Sequence, residues 1–219
     1  MLRGWGGLIW AFVGAIAAAV ALQALILREA SGATGEGLCL SEILAGPARD
    51  WDGDGVYDSK ADEWVEVRNR GTSPVTLDEY RLADALGTVR IALVGTLAPG
   101  DVMLVTGSAA VEWQRQQGLA TAGLSLNNAG DTVFLFHIAG TDTVTADQHT
   151  YGAIEAGSDR SVGRAGSQSE DWVLYDGLNR YTGSGPPVGT GCSPTPGGPN
   201  GCATDVQGTT WGKIKRLYR

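Results

Sequence analysis

The sequence predicts an all-β sandwich or barrel. Two observations carry this expectation. Apolar or alternating runs of roughly four to eight residues recur between clusters of Gly, Pro, Asn and Asp. Gly is abundant at 33 of 219 residues while only 18% of residues are charged, as many short turns require and a helical bundle does not.

The elements follow in order. Arg3 precedes an apolar run over residues 8–27, broken only by the uncharged Gln23. As a helix such a run spans about 30 Å, the thickness of a bilayer core. Residues 1–33 therefore read as an N-terminal hydrophobic helix, either a signal peptide or an uncleaved anchor. Ser31 and Ala33 supply the small residues of a cleavage site, whereas the length of the run favours an anchor. Both send the chain from about residue 34 onward across a membrane, and an uncleaved leader would contact the bilayer through residues 8–27. Cys39 is no lipoprotein acceptor, because Glu36-Gly37-Leu38 lacks the small residues expected before one.

Strand-like runs occupy residues 38–44 and 63–68, where Val65 and Val67 face opposite to Glu66. Further runs cover 75–82, 89–94 and, after the turn Ala98-Pro99-Gly100, 101–105. The strongest is DTVFLFHI over 131–138, introduced by Asn127-Asn128-Ala129-Gly130. Residues 143–151 and 172–175 complete the set. One helix is expected over 108–117, with Ser108 as cap and Gly118 as stop. Residues 177–201, rich in Gly, Pro, Ser and Thr, read as a loop that ends the domain. The tail over 201–219 closes on TTWGKIKRLYR, in which Trp211, Ile214, Leu217 and Tyr218 fall at helical spacing among bases. Such a segment suits sorting or anchoring at an anionic surface; the alternative is a disordered or loosely docked end.

The net charge of −8 is unevenly spread. Residues 36–205 hold 23 acidic against 10 basic side chains, a balance of −13, and four bases sit in the last seven residues. An acidic body repels phosphate backbones, so nucleic acid is not expected as a partner. Three cysteines, Cys39, Cys192 and Cys202, allow three single pairings or free thiols. A bond between Cys192 and Cys202 would close a short loop and contribute roughly 2–3 kcal/mol.

Residues 50–67 place five Asp and two Glu among eighteen positions. Asp50, Asp52, Asp54 and Gly55 match the first half of a D-x-D-x-D-G calcium loop, whose alternate carboxylates converge on one hard cation. Asp58 takes the ninth position, but Ala61 stands where a bidentate Glu belongs. Asp62 and Glu63 follow at once and could substitute. The expected metal set is Asp50, Asp52, Asp54, Asp58, Asp62 and Glu63, with calcium as the ion. The bland alternative is a solvated acidic turn.

Catalytic apparatus is missing from the sequence. His137 and His149 neighbour no Ser or Cys motif, and neither G-x-S-x-G nor H-E-x-x-H occurs. Trp51, Trp64, Trp113 and Trp172 could form a sugar-stacking surface, but a sandwich needs large inward residues and packing is the expected role.

The order of the pieces resembles the lamin tail domain in its bacterial, exported form. The strand over 40–44, the acidic-aromatic 62–67 with Asn69 and Gly71, and 75–77 with 80–84 are similar to its opening strands. Leu97-Ala98-Pro99-Gly100, residues 126–133, and 160–172 followed by 195–200 are similar to its later signatures. The resemblance covers residues 38–200 and implies an immunoglobulin-like β-sandwich; with no catalytic motif in the sequence, no enzymatic activity is expected. It does not imply a filament role, since no heptad rod is present. The expectation is a structural or binding module at the cell envelope or outside it, calcium-stabilised, with a protein or surface ligand as partner. Alternatives are a carbohydrate-binding module and an accessory domain of an extracellular hydrolase complex.

Overall fold

The computed structural model describes residues 37–202. The expected leader over 1–33, its membrane contact at 8–27 and nearly all of the tail lie outside them. Among the described residues no helix is long and apolar enough to cross a membrane.

The strands are β1 (Leu38–Leu44), β2 (Trp64–Asn69), β3 (Val75–Thr76), β4 (Tyr80–Ala83), β5 (Val89–Ala92), β6 (Thr96–Leu97), β7 (Val102–Thr106), β8 (Gly130–Ala139), β9 (Asp142–Gly152), β10 (Ser161–Arg164) and β11 (Trp172–Tyr175). One helix, α1 (Gly107–Gln116), follows β7. A five-stranded sheet runs β11-β10-β1-β2-β7 and a four-stranded sheet β5-β4-β8-β9, with β3 and β6 paired beside them. All of these strand pairs are antiparallel. This is an immunoglobulin-like β-sandwich: Leu40, Ile43, Val65, Val67 and Val162 from the first sheet share one core with Leu82, Ile91, Val133 and Leu135 from the second.

The burial of β1 and β2 departs from simple alternation, because every residue in both strands is buried. Leu40 and Ile43 reach the same core although three positions apart, since the register with β2 shifts between Leu40 and Glu42. That bulge reverses the parity of the strand. The opposite face carries Glu42, Trp64, Glu66 and Arg68. It is covered by the C-terminal segment, whose Thr195 and Gly197 amides donate to Glu42 and Glu66. Residues 177–201 are thus more than the expected terminal loop: they strap the outer face of the sheet. The strap is closed by a Cys192–Cys202 disulfide with Cα atoms 4.7 Å apart, leaving Cys39 a buried thiol.

Three further expectations change. Residues 75–82 are not one strand, because a turn with Tyr80 N donating to Leu77 O (2.8 Å) buries Leu77 and sends β3 and β4 into different sheets. The helix cap is Thr106, not Ser108. Thr106 is extended and its Oγ1 accepts Ala109 N at 3.2 Å, while the Ser108 hydroxyl bonds to Thr106. Finally, residues 161–164, with Gly163 among them, carry no strand signal, yet they form β10 and join β1 to β11.

Candidate metal centre

The acidic loop connects β1 to β2 and is closed at its root by one side chain. The buried Asp62 accepts Trp51 N (2.6 Å) and Asp52 N (3.0 Å) on Oδ1, and Asp58 N (2.7 Å) on Oδ2. Asp50 closes the tip, taking Gly53 N on Oδ1 (2.7 Å) and Gly55 N on Oδ2 (2.8 Å). Both glycines are left-handed, with φ of +79° and +89°, a conformation a side chain would strain. Asp52 and Asp54 each accept the amide two residues on, as short acidic side chains do in turns.

This folding brings one carboxylate oxygen from each of Asp50, Asp52 and Asp62 within 4.8 Å of the others. The donors are all oxygen and all anionic. Such a set suits a hard divalent cation of the calcium class and not a soft metal. A cation among them would replace mutual repulsion with attraction.

The other three residues of the expected set lie outside this group. Asp54 sits exposed on the loop tip. Asp58, also exposed, turns back on its own chain and accepts Ala61 N (2.9 Å) and Lys60 N (2.7 Å); these amides hold its carboxyl below the usual value. Glu63 is 2% exposed and faces elsewhere, because adjacent residues entering a strand point to opposite sides. Its Oε2 accepts Leu126 N (3.1 Å), its Oε1 lies 3.7 Å from Lys60 Nζ, and burial lifts its pKa to about 7. It borders a separate cleft of about 950 Å³, lined also by Lys60, Arg90, Asn127, Asp131 and Tyr151.

The loop is tethered from outside by a residue that sequence reading overlooked. Asp159, buried and left-handed at φ +52°, accepts Ala48 N and Trp51 Nε1 at 2.9 Å and pairs with Arg49 at 3.0 Å. Trp51 in turn meets Trp64 edge-on, with ring centroids 6.1 Å apart. More than a hundred residues separate Asp159 from these partners, so no local pattern could reveal the link.

The aromatic and imidazole groups are engaged in packing. Trp64 is fully buried, Trp113 and Trp172 pack against the core, and Trp172 stacks on His149. Burial pushes the His149 pKa down to about 4, which keeps its ring neutral. His137 stacks on Tyr80 and meets Glu79 at 3.2 Å. Among the described residues neither histidine hydrogen-bonds a Ser, Thr or Cys side chain that could act as a nucleophile.

Comparison with known proteins agrees with this architecture. No curated protein matches the chain. A family model for the lamin tail domain matches residues 31–153, more than half of the chain, from before β1 through the end of β9. That span holds the acidic loop, β2 and the whole four-stranded sheet, and the chain therefore belongs to the lamin tail domain family, a family of non-catalytic immunoglobulin-like domains.

Proposed function

We propose that this protein is a non-enzymatic structural or binding module, exported to the cell envelope or beyond and stabilised by calcium bound at Asp50, Asp52 and Asp62. The family supplies the coarse part, a structural or binding domain of immunoglobulin type. The observation that carries the calcium reading is the convergence of three carboxylate oxygens within 4.8 Å in a loop built by backbone hydrogen bonds. Asp54 and Asp58, exposed on the same loop, are the further side chains available to complete an oxygen shell. Export is supported by the apolar run over 8–27 and by the disulfide, a bond that persists in oxidising compartments. The partner is a protein or a surface ligand; the −13 balance of residues 36–205 argues against nucleic acid.

The carbohydrate-binding alternative loses its expected platform. Trp51 donates its indole N–H to Asp159 and Trp64 is interior, so these rings do not form an exposed stacking face.

The test is thermal unfolding of the full-length chain in calcium and in chelator. Ligation at the loop raises the midpoint progressively with calcium through the millimolar range, because an ion that binds only the folded state stabilises it by mass action. Identical midpoints in calcium and chelator would overturn the calcium assignment.

A further inference from the structure

The strap over β1 and β2 is held unequally along its length. Up to Cys192 its backbone is tied to β11 and the turn after it. Thr190 N donates to Leu174 O (2.9 Å), Gly177 N to Cys192 O (2.8 Å) and Gly191 N to Asp176 Oδ1 (2.7 Å). Residues 193–202 have no such ladder. Among the described residues their one backbone–backbone bond is internal, from Gly198 N to Thr195 O. Their hold on the sheet passes through side chains: Thr195 N and Oγ1 donate to Glu42, Gly197 N donates to Glu66, and Asn200 bonds Ser41 and Arg164 O. Pro194 alone in this segment is buried, so apolar burial adds little to the hold. What closes the far end is the bond from the anchored Cys192 to the exposed Cys202.

The face beneath this segment is costly to cover. Glu42 and Glu66 are register partners, both fully buried, and Glu66 Oε1 finds no hydrogen-bond partner among the described residues. Burial lifts the Glu66 carboxyl to about 7. Opening the segment returns both carboxylates to water, whereas the apolar core on the other side of β1 and β2 is untouched.

We propose that residues 193–202 form a redox-controlled cover, held over the outer face of β1 and β2 by the Cys192–Cys202 bond and released when an external dithiol reduces that bond, while the sandwich beneath stays folded. Release is a thiol–disulfide exchange. A thiolate of the dithiol attacks one sulfur of the bond and forms a mixed disulfide, which the dithiol's second sulfur then resolves. The protein's bond takes up two electrons and two protons and becomes two thiols; the dithiol becomes a disulfide. Cys39 does not compete. Burial pushes its thiol up to about 11, which keeps it protonated and unreactive, so oxidation remakes the same pair. This inference is independent of the calcium reading.

The experiment is amide hydrogen exchange on the full-length chain at constant pH, oxidised, in dithiothreitol, and after the dithiothreitol is removed and the bond re-formed. Thiol alkylation confirms each redox state. In dithiothreitol the Thr195 and Gly197 amides exchange faster by roughly tenfold or more, while amides of β2 and β8 keep their protection. Re-oxidation restores the slow exchange, and Cys202→Ser shows the fast exchange without reductant. Unchanged protection of Thr195 and Gly197 in dithiothreitol overturns the proposal, because the side-chain bonds alone then hold the segment. Loss of protection throughout β2 and β8 overturns it as well, since the bond then supports the whole sandwich and not a cover. Should Cys202→Ser not fold, the comparison of oxidised and reduced wild-type protein decides alone.

Discussion

Asp62 shows how much one side chain can organise. Its carboxylate holds three backbone amides of the acidic loop, at 2.6, 2.7 and 3.0 Å, and it also contributes an oxygen to the three-residue cluster. Removing it leaves those amides without their partner, and losing bonds to a charged acceptor costs on the order of 3 kcal/mol. Asp62→Ala is therefore expected to lower the urea midpoint even in chelator, whereas Asp54→Ala, exposed at the tip, changes stability by less than about 0.5 kcal/mol. Comparable losses in chelator for the two variants would contradict the closing role of Asp62. The sequence made Asp62 a candidate through its charge. The reason it differs from Glu63 beside it is the side each faces on entering β2, which a count of carboxylates does not contain.

At the scale of elements, the strap and the two strands beneath it contribute to the pH response alongside Glu63. Glu42 and Glu66 are register partners on β1 and β2 and both are fully buried. Burial pushes the pKa of each upward, that of Glu66 to about 7 from 4.5, against hydrogen bonds that pull the other way. The folded state thus holds more protons than the unfolded one between those values. The stabilisation is fully present below about pH 4.5 and is lost as pH rises through about 7, by on the order of 3 kcal/mol for Glu66. The thermal midpoint should fall between pH 5 and pH 8, and Glu66→Gln, neutral throughout, should flatten that slope. A midpoint that rises over this interval would refute the assignment. Elements themselves were legible to different degrees. Residues 172–175 matched β11 because WVLY is apolar and β-prone, whereas SVGR of β10, equally short, is too polar to signal a strand. It becomes one because β1 and β11 flank it on both sides.

At the scale of the whole molecule, the two sheets are joined by more than the apolar core. Arg164 of β10, 4% exposed, donates Nε to Leu40 O and Nη2 to Asp147 Oδ2, both at 2.8 Å, and Leu40 N donates to the same Asp147 oxygen at 2.9 Å. Asp147 belongs to β9, so this triad pins the four-stranded sheet to the middle of the five-stranded one. Breaking one side of a buried pair leaves the other charge uncompensated and costs about 3–5 kcal/mol. Arg164→Met should lose stability of that order in chemical denaturation, and Asp147→Asn less, because Arg164 keeps its second ion pair with Glu170. The double variant should lose clearly less than their sum, since the two act as one unit. Additive losses would show that the pair does not couple the sheets.

Local pattern alone determined the fold class, most strand positions, the acidic balance of the body and the loop in which carboxylates converge. Each of these depends on residues close in the chain: turn formers at short intervals, period-two alternation, and charge density. Only the tertiary structure decided which carboxylates meet, what covers the polar face of β1 and β2, and which cysteines pair. Several of those outcomes join residues far apart, Glu42 to Thr195, Arg164 to Leu40 and Asp159 to Trp51. Distant pairings are set by how the two sheets pack and twist, which a single sequence expresses only through the whole fold.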